Sequence, residues 1–375
     1  MHRRTQRTVI HFAVFLAIVT LLILINNPPR TSRSFAWTKV RYQPVSALPN
    51  TYSDTLAQCP GLATSTKPAL VVSHVQSDGE TSWLTQLSKK YHICIYDVDG
   101  SSSKHKHDAL RVPANRAHEA MAYLTFIIAN YDSIPAAGAV FVHGSRYAWH
   151  NDAPDYDNAY LLSLLDVRAA LKPAGYHNLR CDWSTSMCLP SMLPQGSLQM
   201  KFQSAVDPFD ARAKSDAALP GALAAIFGDS VGAGGELLAP GRQEAVRSQC
   251  CAQFVVSRER VRSHSREEYA ALRQWLLDGA EMGNSRAMRK DGLAPRDDRV
   301  AGRIVSYIWH ILFLDVGRGS GSGGIDLDVL NRAACPSAQD CYCRLYGKCN
   351  LQCRSPANCL GQYWVPPGFK VPRQD

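Results

Sequence analysis

Ala69-Leu-Val-Val-Ser-His74, then Trp83-Leu84-x-x-Leu87, then Tyr91-His-Ile-Cys-Ile-Tyr-Asp97-Val-Asp99-Gly100 is the stretch that carries the fold. Two β-branched runs flank a segment with apolar residues at helical spacing, which is the rhythm of a βαβ unit. The pattern repeats outward. A polar loop leads to Arg111–Arg116, Ala117 to Asn130 reads as a helix with Met121, Leu124 and Ile128 on one face, and Pro135 and Gly138 mark a turn. Ala139-Val-Phe-Val142 is then a third apolar strand. Right-handed crossovers set such strands side by side with their C-terminal ends along one edge, where open α/β sheets bind ligands. The expected class is α/β with a mostly parallel sheet.

The third strand opens into His143-Gly-Ser-Arg146-Tyr-Ala-Trp149-His150-Asn-Asp152-Ala-Pro-Asp155-Tyr-Asp157. Such density of polar groups at a strand end suits a cleft, although Asn-Asp-Ala-Pro-Asp is also ordinary turn chemistry. His143, His150 and Asp152 are candidate catalytic residues, as a nitrogen and oxygen metal site or as a base. Asp97 and Asp99 are candidates for a ribose or a hard cation, against the alternative that Asp-x-Asp-Gly merely closes a strand. Arg116 and Arg146 are candidates for a phosphate or carboxylate. Glu119 is read equally as dipole compensation in a first helical turn or as a site residue.

The remaining chain gives further elements. Residues 159–171 read as a helix, Tyr176 to Trp183 as a strand and Cys250 to Ser257 as another. Ser265-Arg-Glu-Glu268 is a capping box opening a helix through Leu277, and Arg303 to Leu314 repeats apolar residues at helical spacing. Residues 205–243, rich in Ala, Gly, Pro and Asp, suggest no regular element apart from a turn at Pro240-Gly241.

In a chain of 375 residues the net charge is +9, but the basic residues are scattered and interleave with no aromatic helix, so nucleic acid is excluded as partner. Val9 to Ile25 is apolar, broken only by His11 and Thr20, and follows Arg3, Arg4 and Arg7. Its length is at the lower edge for a spanning helix and favours a signal anchor over a cleaved signal peptide. Cleavage after Ser34-Phe35-Ala36 is the competing reading, and either route leads into the secretory pathway. The expected domains are a cytoplasmic tail (1–8), a transmembrane anchor (9–25), a Pro- and Ser/Thr-rich stem (26–66), the α/β body (67–330) and a cysteine-rich tail (331–375).

Twelve cysteines agree with an oxidising compartment. Six of them, Cys335, Cys341, Cys343, Cys349, Cys353 and Cys359, staple the tail more plausibly than they bind zinc, since no paired Cys-x2-Cys knuckles occur. Cys181 and Cys188 are close enough to pair locally, Cys250 and Cys251 are expected to bond elsewhere, and Cys94 reads as a buried thiol.

Gly319-Ser-Gly321-Ser-Gly323 has no strand before it and reads as a linker within Gly317 to Gly324, not a nucleophile elbow. Gly228 to Gly235 lacks the order and setting of a nucleotide loop, and phosphate-loop and His-Glu-x-x-His patterns are absent.

Several motifs together resemble a mostly fungal domain-of-unknown-function family, number 3431. They are Asn115-Arg-x-x-Glu119-Ala-x-x-Tyr123-Leu, Asn130-Tyr131-Asp132-x-x-Pro135, Val140-Phe-Val-His143-Gly-x-Arg146-Tyr-x-Trp149-His150-Asn-Asp152, Leu179-Arg-Cys-x-Trp183 and Ala252-Gln253-Phe-x-Val-Ser257-Arg. Tyr307-x-Trp309-His310 and the cysteine tail extend the match. The resemblance adds Trp149 and Gln253 to the substrate-binding candidates. A weaker similarity to glycosyltransferases of the GT-A type implies a GT-A/Rossmann-like lumenal domain, a sugar nucleotide and glycan as partners, and a divalent cation, Mn or Mg, as cofactor. Where those enzymes end a strand in Asp-x-Asp, this chain has His143-Gly-Ser145.

The leading expectation is a Golgi or other secretory-pathway, type II membrane protein of glycosyltransferase kind, with Asp97 or Asp99 on the nucleotide and Arg116 and Arg146 on phosphates. Two other classes stand beside it. One is a noncatalytic carbohydrate or cell-surface binding module with Trp149 and Tyr147 stacking on sugars. The other is a metal-dependent hydrolase using His143, His150 and Asp152.

Overall fold

A computed structural model of the chain describes residues 2–26, 34–35, 37–44, 52–100, 110–153, 155–228, 245–281, 292–314, 316 and 324–360. Helix α1 (His2–Asn26) leads into strand β1 (Ser34–Phe35). Then follow β2 (Ala69–His74), β3 (His92–Asp97), β4 (Leu110–Arg111), α2 (Glu119–Ala129), β5 (Ala139–His143), α3 (Asn158–Leu164), α4 (Val167–Ala170) and β6 (Tyr176–Asn178). Helices α5 (Leu198–Val206) and α6 (Ala211–Phe227) precede β7 (Phe254–Val256), α7 (Arg258–Val261), α8 (Arg266–Glu281), α9 (Asp298–Ser306) and α10 (Trp309–Phe313). The chain closes with β8 (Ile325–Asp326), α11 (Leu327–Ala334), α12 (Ala338–Tyr346), β9 (Gln352–Ser355) and β10 (Asn358–Leu360).

Six strands form one sheet in the order β4-β3-β2-β5-β7-β6, and only β7 runs against its neighbours. The mostly parallel α/β sheet expected from the sequence is therefore present. Strands β2 and β5 are buried on both sides because alternate side chains serve different cores, while β3 is half-buried at Ile93 and Ile95. Leu70, Val72, Val140 and Val142 face Trp83, Leu87, Leu162 and Tyr342, while Val71, Tyr96 and Phe141 face α2, α8 and the aromatic cluster around Phe254 and Trp309. Because β3 lies on one side of β2 and β5 on the other, the order reverses at β2/β5.

Local chemistry sets the boundaries. Ser265 and Glu268 form the expected box at α8, with Ser265 N donating to Glu268 at 2.8 Å and Glu268 N to Ser265 at 3.3 Å. The single helix expected over 159–171 is two, because Asp166 accepts from Ala169 N and starts a new one. The helix expected from Arg303 begins earlier, at Asp298, and breaks between α9 and α10. Helix α6 fills part of the segment read as irregular. Asp210 caps it through Arg212 N and Ala213 N, and Pro220 lies inside it.

The cysteine expectations need correction. Cys94 bonds Cys59, Cys181 bonds Cys341, Cys188 bonds Cys335, and Cys250 bonds its neighbour Cys251. Cys343–Cys349 and Cys353–Cys359 are local to the tail. Cys181 and Cys188 thus reach the tail instead of each other, because α12 packs under the sheet beside α3 and α4.

Part of the expected stem also belongs to the body. Strand β1 pairs with β8, Trp37 is buried against Phe35 and Phe227, and the Tyr42 hydroxyl donates to Asp278 at 2.6 Å. Among the described residues no helix is long and apolar enough to cross a membrane; the described side chains of α1 run from Gln6 to Leu22. Residues 229–235 of the glycine segment, Pro240-Gly241, Ala36 and residues 317–323 of the linker lie outside the described residues.

Candidate functional site

Sheet order places the site. At a strand-order reversal the loops leave in opposite directions and open a crevice at the carboxyl ends. Here Ser73 pairs with His143 and His74 with Asp97 across β2, so the three strand ends converge as expected. Gly144 is required there, since a Cβ would meet Asp78 Oδ2 at 2.6 Å and the Ser73 carbonyl at 2.9 Å. Ser145 Oγ donates to Asp78 at 2.5 Å and locks the two loops together.

Beside this edge lies a cleft of about 330 Å³. His118, Glu119, His143, Trp149 and His150 line it together with Arg212, Arg299, Arg303 and the Cys250–Cys251 pair. The His143 and His150 rings are 4.3 Å apart. His143 Nε2 lies 2.7 Å from the Cys251 carbonyl, which can only accept, so Nε2 bears hydrogen and Nδ1 is the proton acceptor of the neutral ring. Burial, aided by His143 and Arg180, pushes His150 well below its usual value and keeps it neutral; its buried Nε2 has no protein partner.

The arginines are weakly compensated. Arg212 Nε is 3.9 Å from Asp216 Oδ2, whose carboxyl burial pushes up, and Arg299 Nε is 3.6 Å from Asp297. Arg303 Nη2 donates to the Tyr307 hydroxyl at 3.0 Å, while its Nε has no partner. Backbone strain gathers at the same place. Ala117, His118, Cys251 and Ala252 all have positive φ, an arrangement that persists only where surrounding structure enforces it. Helix α9 approaches the Ala117-His118 turn through Gly302, where a Cβ would meet the Ala117 carbonyl at 2.9 Å.

Only part of the sequence-derived set meets here. His143, His150, Glu119 and Trp149 line the cleft. Asp152 does not: it is buried under α12, accepting from Cys181 N at 2.6 Å, Asp182 N at 3.2 Å and the Tyr342 hydroxyl at 2.8 Å. The expected His143, His150 and Asp152 metal site is thereby undone. Among the described residues only Cys59, His92 and Cys94 cluster like metal ligands, and both sulfurs there are in a disulfide.

The other candidates hold structure. Arg116 is buried and spent on Asp298, the Leu276 carbonyl and the backbone of residues 295–296. Arg146 grips Asp157 with two bonds of 3.0 and 2.8 Å while Asp157 caps α3. Gln253 ties His143 N, Asn158 and Asn151 together. Asp97 turns back to Gly100 N, and exposed Asp99 accepts from Gln76 N at 2.9 Å. Sequence reasoning missed His118, Arg212, Arg299, Arg303 and the cysteine pair. Arg299 and Arg303 share a face at i, i+4, a signal legible once α9 is extended back to Asp298.

A larger groove of about 1030 Å³ lies at the opposite end of the strands, around Pro68, Leu171 and Gly175. Its Lys90 ammonium is spent on the carbonyls of Leu162, Ser163 and Leu165.

A family model described as Protein of unknown function (DUF3431) matches residues 70–344. No curated protein and no solved structure matches the chain.

Proposed function

The chain belongs to the DUF3431 family of unknown function, and from its cleft we propose a glycosyltransferase-like enzyme that takes a phosphate-bearing sugar donor, a sugar nucleotide by preference. One observation carries this reading: three weakly compensated arginines share a cleft with two histidine rings 4.3 Å apart, beside the strand-order reversal of an open α/β sheet. Arg212, Arg299 and Arg303 would neutralise the phosphates, since guanidinium groups match phosphate oxygens in paired bonds. Trp149, exposed at the rim, would stack on a sugar ring. His143, through Nδ1, or Glu119 would take the proton of an acceptor hydroxyl. The acceptor oxygen then bonds the anomeric carbon, and the carbon–oxygen bond to phosphate breaks with its electrons leaving on the phosphate.

Disulfides throughout the body support a secretory-pathway address. Exposed apolar side chains along α1, among them Val9, Phe12, Phe15, Ile18 and Leu22, support its use as the membrane anchor of a type II protein. Incubating the purified chain with a panel of sugar nucleotides, with and without manganese, tests the activity. The expected result is thermal stabilisation by at least one donor and release of its nucleotide. Stabilisation by oligosaccharides with none by any nucleotide would overturn it in favour of a binding module, a reading that exposed Tyr147 and Trp149 favour.

A further inference from the structure

Among the described residues, large apolar side chains stand exposed in two concentrations, α1 and the α5 segment. Leu198, Phe202 and Val206 follow one another at i, i+4 and i+8 along α5, and Phe209 comes just after it. They are 53%, 71%, 65% and 86% exposed, whereas Met200 is the buried side chain of that helix. A folded protein seldom leaves such a row in water without a use for it. We propose that this face is a second membrane contact, an interfacial helix that lies on the bilayer in which α1 is anchored; it rests on the anchor reading of α1.

Chain length selects a lipid surface as the occupant. Only residues 27–33 join α1 to β1, so the end of α1 lies within about 28 Å of Ser34 at full extension. Phe35 stacks on Trp37 at 4.4 Å, and Trp37 packs on Phe227, the last residue of α6. From there α6 runs about 25 Å back to its start, and α5 lies against it, with Gly196 N bonded to the Asp216 carbonyl. A bilayer holding α1 is thus within reach of the α5 face. Interfacial helices bury such a stripe at the boundary of headgroups and acyl chains. Asp207 and Asp210 accept from backbone, Asp207 from Phe209 N and Asp210 N, and Asp210 from Arg212 N and Ala213 N, and as charged groups they hold that end of the stripe at headgroup depth. Ala211 and Arg212 line the cleft, so docking sets that side of it at the headgroups.

The test uses the full chain in phosphatidylcholine vesicles containing a photoactivatable phosphatidylcholine, with adducts mapped by mass spectrometry. Adducts are expected in residues 9–22 and in residues 198–209. In the double variant Phe202→Glu, Phe209→Glu the second group should fall at least tenfold while the first persists and the melting temperature is unchanged. Adducts on α1 with none on α5, or α5 crosslinked instead to a second copy of the chain, would overturn the proposal and leave the anchor standing. Absence of adducts from both overturns the anchor reading and this one with it.

Discussion

Asp152 shows how a residue of catalytic type can be wholly structural. Its carboxylate replaces water for two backbone N–H groups and a tyrosine hydroxyl that α12 would otherwise bury unpaired. Asp152→Ala leaves those buried donors without their acceptor and should cost about 2 kcal/mol. In a body of this size that is a fall of roughly 5 °C in melting temperature, with ligand affinity of the folded fraction unchanged in a binding assay. The arginines should behave the opposite way. Arg212→Gln or Arg303→Gln should weaken binding of a phosphate-bearing ligand about tenfold or more, since a charge-assisted bond contributes roughly 1.5–3 kcal/mol. Melting temperature should move little for the half-exposed Arg212.

At the scale of elements, the cleft depends on two close approaches that glycine permits. Gly302→Ala would drive α9 from the Ala117-His118 turn, and such overpacking costs about 1–3 kcal/mol. It should also reduce ligand affinity, because Arg299 and Arg303 move with the helix; calorimetry of the variant checks both. Strands β2, β3, β5, β6 and β7, helix α2 and the α8 box were legible because periodicity and capping are local properties, and so was the edge where His143 meets the ends of β2 and β3. Helix α6 was not, since Pro220-Gly221 reads as a break and the Asp210 cap lies ten residues before it. The arginines of the cleft were hidden for a different reason. Arg212 and Arg303 are far apart in sequence and meet only through packing of α6 on α9. Asp97, Arg116 and Arg146 carried the right chemistry, but neighbouring backbone groups and acids claimed it.

Over the whole molecule, buried neutral histidines set an acid limit. Burial pushes His177 down to about 4 and His310 down to about 3, and His150 follows the same direction. The unfolded chain binds these protons near the ordinary value of 6.5, so the stability is complete above that pH and is lost as pH falls toward the folded values. Each histidine contributes a slope of about 1.4 kcal/mol per pH unit within that window. Melting temperature should therefore fall steeply between pH 6.5 and 4.5. His310→Leu, which also removes two buried nitrogens without partners, should make that decline shallower.

The pairing of Cys181 with Cys341 and Cys188 with Cys335 also governs timing during synthesis. Their partners follow 160 and 147 residues later. At ordinary elongation rates of about 5–20 residues per second, two thiols wait roughly 10–30 s beside one another before the correct sulfurs exist. Where oxidation begins before the tail has been made, a premature Cys181–Cys188 bridge is the nearest competitor, and it would have to isomerise before the observed pairs could form.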